Sequence, residues 1–295
     1  MRGSEFTRLG CGRRCACGAA VAIGALLAGC GEGRFSADLA TDPPADPEIN
    51  QVQVSLLGLE LRKTDGATAA LEFRAGEPVD LLDLREGEPM RLFTGEELPA
   101  GQYTGVRLLF DEGEDATVVS TNGDVFPVLL SDGSFAQVDF TVEDDESSRE
   151  LLTLTLDLRQ SLRFDDVDDE YTLTPLLRTV RTDEAAQVEG GVNASCPVGT
   201  SLILGGAVYA FAGADVTPDD LDGAAAEPYA TTSVVLDPDS GQFSYALRFL
   251  PADDYTLALS CRGNEDELGA DDDLEFGDAE TVSIEAGDVL QRNFS

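Results

Sequence analysis

Carboxylates are the most abundant reactive groups in this chain, and in two places they crowd closely enough to suggest chemistry of their own. Asp165-Asp166-Val167-Asp168-Asp169-Glu170 and Asp271-Asp272-Asp273-Leu274-Glu275 each concentrate acidic side chains between apolar runs. Such loops can gather oxygen ligands around Ca²⁺, a hard cation that takes about six to eight of them. The candidate ligands are Asp165, Asp166, Asp168, Asp169, Asp271, Asp272, Asp273 and Glu275. Glu143-Asp144-Asp145-Glu146, Asp219-Asp220-Leu221-Asp222 and Asn264-Glu265-Asp266-Glu267 have the same texture. None follows the EF-hand spacing, and the plainer reading of every run is hydrated loop surface. Carboxylate pairs also serve glycoside hydrolysis. With 57 Asp+Glu in the chain, however, a pair at any separation is expected from abundance alone.

The remaining inventory is short. There is no histidine, which removes Ser-His-Asp and Cys-His nucleophilic sites and every His-ligated zinc centre. No phosphate-cradling GxxxxGK[ST] loop occurs, and no GxGxxG lies between a strand and a helix. A non-catalytic protein is the expectation, with a carboxylate-based glycan hydrolase as the less favoured alternative. The 57 acidic side chains face only 19 basic ones, for a net charge of −38. A surface this acidic repels phosphate backbones, so nucleic acid is excluded as a partner.

The cysteines fall into two groups. Arg2, Arg8, Arg13 and Arg14 precede or border an uncharged run, CACGAAVAIGALLAG, from Cys15 to Gly29. A basic start, an apolar stretch and a small-residue ending form the pattern of an export signal, and the run is shorter than the roughly 20 residues of a spanning helix. Its ending, Leu27-Ala28-Gly29-Cys30, looks like a lipobox, in which the Cys30 thiol is acylated and becomes the first mature residue. An ordinary secretory signal and an uncleaved anchor helix are the alternatives. On the lipobox reading residues 1–29 are the signal peptide, and Cys11, Cys15 and Cys17 leave with it. Cys196 and Cys261 then remain as the available pair in an oxidising compartment, where a disulfide is the natural state and two buried thiols the alternative.

Next come the elements that would position these groups. Residues 30–38 and the Pro- and Asp-rich stretch beyond them read as a tether and lead-in. From Val52 onward the chain is a succession of short alternating or β-branched runs broken by turn residues such as Asn122-Gly123-Asp124, Ser131-Asp132-Gly133-Ser134 and Asp237-Pro238-Asp239-Ser240-Gly241. Many short strands at such spacing predict an all-β chain of two antiparallel β-sandwich domains in tandem, 39–187 and 188–295. SLILGGAVYAFA and TTSVVLD are each expected to be one strand, and DLLDLREG to contain a short helical turn. The phrase Leu-Pro-Ala-x-x-Tyr-Thr occurs twice, from Leu98 and from Leu250. It reads as the same β-corner used once in each sandwich, with Gly101 supplying a positive φ in the first copy and Asp253 tolerating it in the second.

VDLLDL, LPAGQYTGVRLLFD, LTLDLRQSL and YTLTPLLRTV occur in that order within residues 39–187. In this they resemble the bacterial lipoprotein family catalogued as domain of unknown function 4382, which implies a β-sandwich and brings no established activity. DPDSGQFSYALRFLPADDYTLALSC, within 188–295, resembles a carboxypeptidase-regulatory or transthyretin-like sandwich. The combined expectation is an exported, salt-tolerant envelope lipoprotein. It would be anchored through Cys30, most naturally in the outer membrane, with a binding or structural role toward an envelope protein or glycan; a Ca²⁺-dependent surface module is the alternative.

Overall fold

The computed structural model describes residues 32–84, 89–111, 116–131, 133–144, 149–224 and 226–295. Twelve strands among them build the first unit: β1 (Glu32–Asp42), β2 (Ile49–Lys63), β3 (Thr68–Asp80), β4 (Met90–Pro99), β5 (Gly101–Phe110), β6 (Thr117–Ser120), β7 (Val125–Leu130), β8 (Ala136–Val142), β9 (Arg149–Asp157), β10 (Leu162–Asp165), β11 (Glu170–Leu173) and β12 (Leu177–Arg181). Eight build the second: β13 (Ala186–Val192), β14 (Ala207–Ala212), β15 (Ala230–Ser233), β16 (Val235–Leu236), β17 (Phe243–Leu250), β18 (Asp253–Ser260), β19 (Glu280–Ile284) and β20 (Val289–Gln291). The chain is all-β, as its turn spacing predicts.

In the first unit a sheet ordered β12-β9-β1-β4 faces a larger one ordered β10-β11-β7-β6-β2-β5-β8, with β3 also paired to β2. Their inner faces share one core. Phe35 of β1 stacks on Phe140 of β8 with ring centroids 5.7 Å apart, and Phe140 stacks in turn on Tyr103 of β5. The second unit pairs a sheet ordered β16-β17-β13-β20 with one ordered β15-β14-β18-β19. Val188 and Leu247 from one sheet meet Val208, Leu257 and Leu259 from the other. Burial alternates along β8 and β13, as period-two strands with one wet face should show. It is continuous from Tyr255 to Ser260 in β18, because that strand is covered on both faces.

Several expectations are corrected. Residues 32–38 are not a tether. They open β1, which lies between β9 and β4, pairs with β9 in parallel from Arg34↔Arg149 to Asp42↔Asp157, and buries Phe35, Ala37 and Leu39 completely. Gly-Arg-Phe-Ser-Ala-Asp-Leu does alternate, but the Pro and Asp residues just beyond obscure the pattern. Three of the four sheets are also mixed rather than purely antiparallel, since β1–β9, β7–β11 and β13–β20 are parallel pairs; the β15-β14-β18-β19 sheet is antiparallel throughout. Leu202–Gly205 forms one helical turn, capped by the Ser201 side chain, before β14 begins. TTSVVLD divides between β15 and β16, which belong to different sheets. The strands on either side of the turn residues Ser131 to Ser134, β7 and β8, are not sheet neighbours. The turn after Asp80 is a 3-10 helix over Leu81–Leu84.

The repeated phrase is a tyrosine corner in both copies. Each carries the chain from one sheet of its sandwich to the other, β4 to β5 and β17 to β18. The Tyr103 hydroxyl donates to the Pro99 carbonyl at 2.7 Å, and the Tyr255 hydroxyl donates to the Pro251 carbonyl at 3.1 Å. Pro fixes the backbone at the bend, and a fully buried ring closes the turn back on itself. The copies differ in backbone. Gly101 has φ 147°, whereas Asp253 does not take a positive φ; that conformation falls on Phe249, at φ 55°. The chain's one lysine sits on the first corner only, where Lys63 Nζ donates to Ala100 O at 2.8 Å and lies over the Tyr103 ring.

Candidate functional site

The two sandwiches are joined by side chains that neither could bury alone. After β9 the chain makes one helical turn, Leu158–Ser161, capped by the buried Asp157 carboxylate, which accepts from Gln160 N at 3.0 Å. This turn projects Arg159 into the second unit, where its side chain is 1% exposed. Its Nη1 donates to the Tyr209 hydroxyl at 3.0 Å, to Asp266 Oδ2 at 3.3 Å and to the Gly263 carbonyl. Tyr209 passes its own proton toward Asp266 Oδ2 at 2.8 Å, and Asp266 Oδ1 accepts from Leu221 N at 3.1 Å. Gly263 is required by this approach, because a Cβ there would stand 2.5 Å from the Ala207 Cβ and 3.1 Å from the Tyr209 hydroxyl. Burial raises the Tyr209 hydroxyl far above its ordinary range, so it remains a neutral donor.

A second arginine repeats the device. Arg178 of β12 pairs with Asp42 at the end of β1, lies 5.5 Å from the Tyr229 ring centroid, and donates to the Arg248 carbonyl at 3.4 Å. Burial lifts Asp42 to about 6, outweighing the opposite pull of Arg178. The Gln160 amide adds a 3.0 Å hydrogen bond to Pro228 O. Beside this seam lies a cleft of about 510 Å³, with Pro43 of the first unit on one wall and Glu189, Thr232, Tyr245 and Arg248 of the second on the others. The volume lies within the range of small-ligand sites, about 300–1,000 Å³. Arg248 has no ion-pair partner among the described residues, while the Glu189 carboxylate is already held by Gln187 and Gln291.

The predicted acidic candidates separate into two groups. Asp165, Asp166, Asp168 and Asp169 occupy the exposed turn between β10 and β11. There the Asp165 carboxylate accepts from Val167 N at 2.9 Å and Asp168 N at 3.3 Å, Asp169 has φ 56°, and Val167 is 84% exposed. That turn is closed by its own backbone and gathers no ligand set. Asp271, Asp272, Asp273 and Glu275 lie between β18 and β19, in a segment that folds over the outer face of the β14–β18 sheet together with residues between β14 and β15. A small second core holds this layer down, with Phe276 edge-on to Tyr209 and Phe211, and Leu274, Val216 and Ala226 around them.

Within that layer Asp220, Asp222 and Asp271 each bring a carboxylate oxygen within 4.8 Å of the others, and they are the one such group among the described residues. Of these, only Asp271 is a predicted ligand. Asp272 supports the group, accepting from Glu267 N at 2.6 Å and donating its own N–H to Asp220 Oδ2. Asp273 and Glu275 are not drawn in. Burial, reinforced by Asp222, Asp219 and Asp266, holds the Asp220 carboxyl above its usual range even though the Asp272 N–H works against it. Leu221, in the middle of Asp219-Asp220-Leu221-Asp222, is 1% exposed, so this acidic run packs. Val167 shows that the same texture also occurs on a fully wet turn.

The structure joins Cys196 to Cys261, with Cα atoms 5.7 Å apart, tying the segment before β14 to the end of β18. Cys30 lies outside the described residues, and so does the apolar run before it. Among the described residues no helix is long and apolar enough to cross a membrane.

No curated protein matches this sequence. Among solved structures, the Bacillus anthracis TIE protein aligns over 89% of this chain at 10% identity and a TM-score of 0.18; the chain spans 34% of that protein's length. A structure described as a "putative cell adhesion protein" from Bacteroides fragilis aligns over 89% of this chain and 92% of its own, at 10% identity and a TM-score of 0.22. At these TM-scores neither likeness bears on fold or function. A family model does match, and its span starts with β1 and ends just before β12: residues 32–175 are similar to the family described as "Domain of unknown function (DUF4382)".

Proposed function

We propose that this chain is an exported envelope lipoprotein, anchored through an acylated Cys30 in the outer membrane, whose two-sandwich body has a non-catalytic binding or structural role. The observation that carries the binding part is the seam. Arg159 and Arg178 join the two units through hydrogen bonds, and beside that junction lies a cleft lined by the second unit, with Pro43 of the first on one wall. Rigid elements that hold a concave surface suit recognition, and Arg248 offers a cation there to an acidic group of an envelope protein or glycan. The lipobox supports the location, since Leu27-Ala28-Gly29 precedes Cys30 directly. The second unit serves in this reading as a carboxypeptidase-regulatory or transthyretin-like module.

Two measurements test the proposal. Changing Cys30→Ala should release the protein from the membrane fraction or leave the precursor unprocessed; unchanged membrane association together with unchanged size defeats the anchoring. A panel of polysaccharides should be left intact by the purified protein. Cleavage that disappears on substitution of a carboxylate pair would replace the binding role with a hydrolytic one.

A further inference from the structure

We propose that Asp220, Asp222 and Asp271 bind a divalent cation of the Ca²⁺ class and thereby clamp the two loops that cover the outer face of the second sandwich. Three observations carry this. The carboxylates come from two segments far apart in sequence, yet the loops are already stitched at that place: Gly269 N donates to Leu221 O at 2.6 Å, Leu221 N donates to Asp266 Oδ1 at 3.1 Å, and Asp272 N donates to Asp220 Oδ2. Asp220 is only 2% exposed, its Oδ1 finds no hydrogen-bond partner among the described residues, and its carboxylate lies beside those of Asp222 and Asp271. No basic side chain among the described residues pairs with any of the three; the nearby Arg159 is committed to Asp266. A buried carboxylate oxygen without a donor is costly, and a cation is the partner that would satisfy it and its two acidic neighbours together.

Ligand type favours calcium: three carboxylates are hard oxygen donors that suit Ca²⁺, whereas Mg²⁺ keeps most of its own water. The three carboxylate oxygens lie within 4.8 Å of one another, close enough to share one ion. Asp222 and the exposed Asp271 leave the outer side open to water, which would complete the coordination.

The full-length chain, purified in detergent and stripped with chelator, should be titrated with CaCl₂ in a calorimeter. It should also be melted in CaCl₂ and in NaCl at matched ionic strength. One saturable site in the micromolar to millimolar range and a higher melting temperature in calcium are expected. Asp271→Asn, a surface change outside the core, should weaken binding about ten-fold or more, while Asp168→Asn in the other acidic turn should leave it unchanged. Asp220→Asn keeps an oxygen for Asp272 N; it should abolish calcium binding, yet melt in chelator at or above the temperature of the parent chain. Equal melting in calcium and sodium, or a calcium affinity insensitive to Asp271→Asn, overturns the assignment.

Discussion

The two sandwiches turn the same corner with the same seven-residue phrase, but they are held together by different means. The first has a large two-sheet core and 11 basic residues between Glu48 and Gln187, enough to pair Glu60 with Arg107 and Asp38 with Arg91. The second, from Val188 onward, has 21 acidic and three basic residues, Arg248, Arg262 and Arg292. Its shortage of cations is met from outside: Arg159 pairs with Asp266 and donates to the Tyr209 hydroxyl, and Arg178 lies over the Tyr229 ring, both contributed by the first unit. It also carries the disulfide. One sandwich is stabilised chiefly by its own core, whereas the other depends on a covalent staple and on its neighbour's guanidinium groups.

Alkali should break this comparison most completely. All six tyrosines have hydroxyls raised above the ordinary value of 10, with burial as the first cause, and Tyr103 and Tyr171 are pushed up to about 12. A raised phenol stabilises the fold fully below its unfolded-state value, and that stability is lost as pH climbs through the folded value. The first unit has two of these rings and the second has four. The second unit should therefore unfold first as pH rises from 10 toward 12, with tyrosinate absorbance appearing cooperatively rather than ring by ring. Gradual appearance of tyrosinate in a still-folded chain counts against buried, hydrogen-bonded hydroxyls.

Reduction of the disulfide should be next in size. The bridge spans a sequence separation of 65, and a loop of that length stabilises by about 4 kcal/mol in the chain-entropy model. Reductant should lower the melting of the second unit while the first, which lacks a bridge among its described residues, keeps its own transition. Parallel loss in both units shows that the seam transmits the damage.

Arg159→Ala should cost roughly 3 kcal/mol, because it leaves Asp266 buried without its cation. Calorimetry should then resolve two transitions in place of one, with the second unit melting earlier. Arg159→Ala combined with Asp266→Asn should recover part of the loss, and a single transition at the parent temperature in Arg159→Ala would show the seam to be dispensable.

The smallest effect sharpens the likeness instead of the difference. Tyr103→Phe and Tyr255→Phe each remove one hydroxyl bonded to a proline carbonyl, worth about 1 kcal/mol. Similar losses by denaturant titration indicate equivalent corners. A much larger loss in the second copy points to strain at Phe249, and a larger loss in the first to the added part played by Lys63.

The corner was legible from Leu-Pro-Ala-x-x-Tyr-Thr because proline and a strand-leading aromatic act locally, and the bridge was legible once the leader cysteines were set aside. The β-rich class followed from alternation and turn residues. What could not be read was anything decided by a partner distant in sequence. Phe35 and Leu39 form an ordinary alternating strand whose place between β9 and β4 depends on residues about 60 and 115 positions away. Arg159 gives no sign in Leu-Asp-Leu-Arg-Gln-Ser-Leu that it will enter another domain. The acidic runs around Leu221 and Val167 look alike as text, and only the aromatic layer of Tyr209, Phe211 and Phe276 separates a packed loop from a wet turn.

The position of β1 has a mechanical consequence. Under the proposed anchoring through Cys30, a load between the membrane and the body would enter the fold at Glu32 and run along the axis of β1. Nine residues of that strand pair in parallel with β9 and seven pair antiparallel with β4. Tension in this direction would load both ladders in shear instead of peeling one bond at a time, so an anchor there would make β1 the handle by which the chain resists being pulled open.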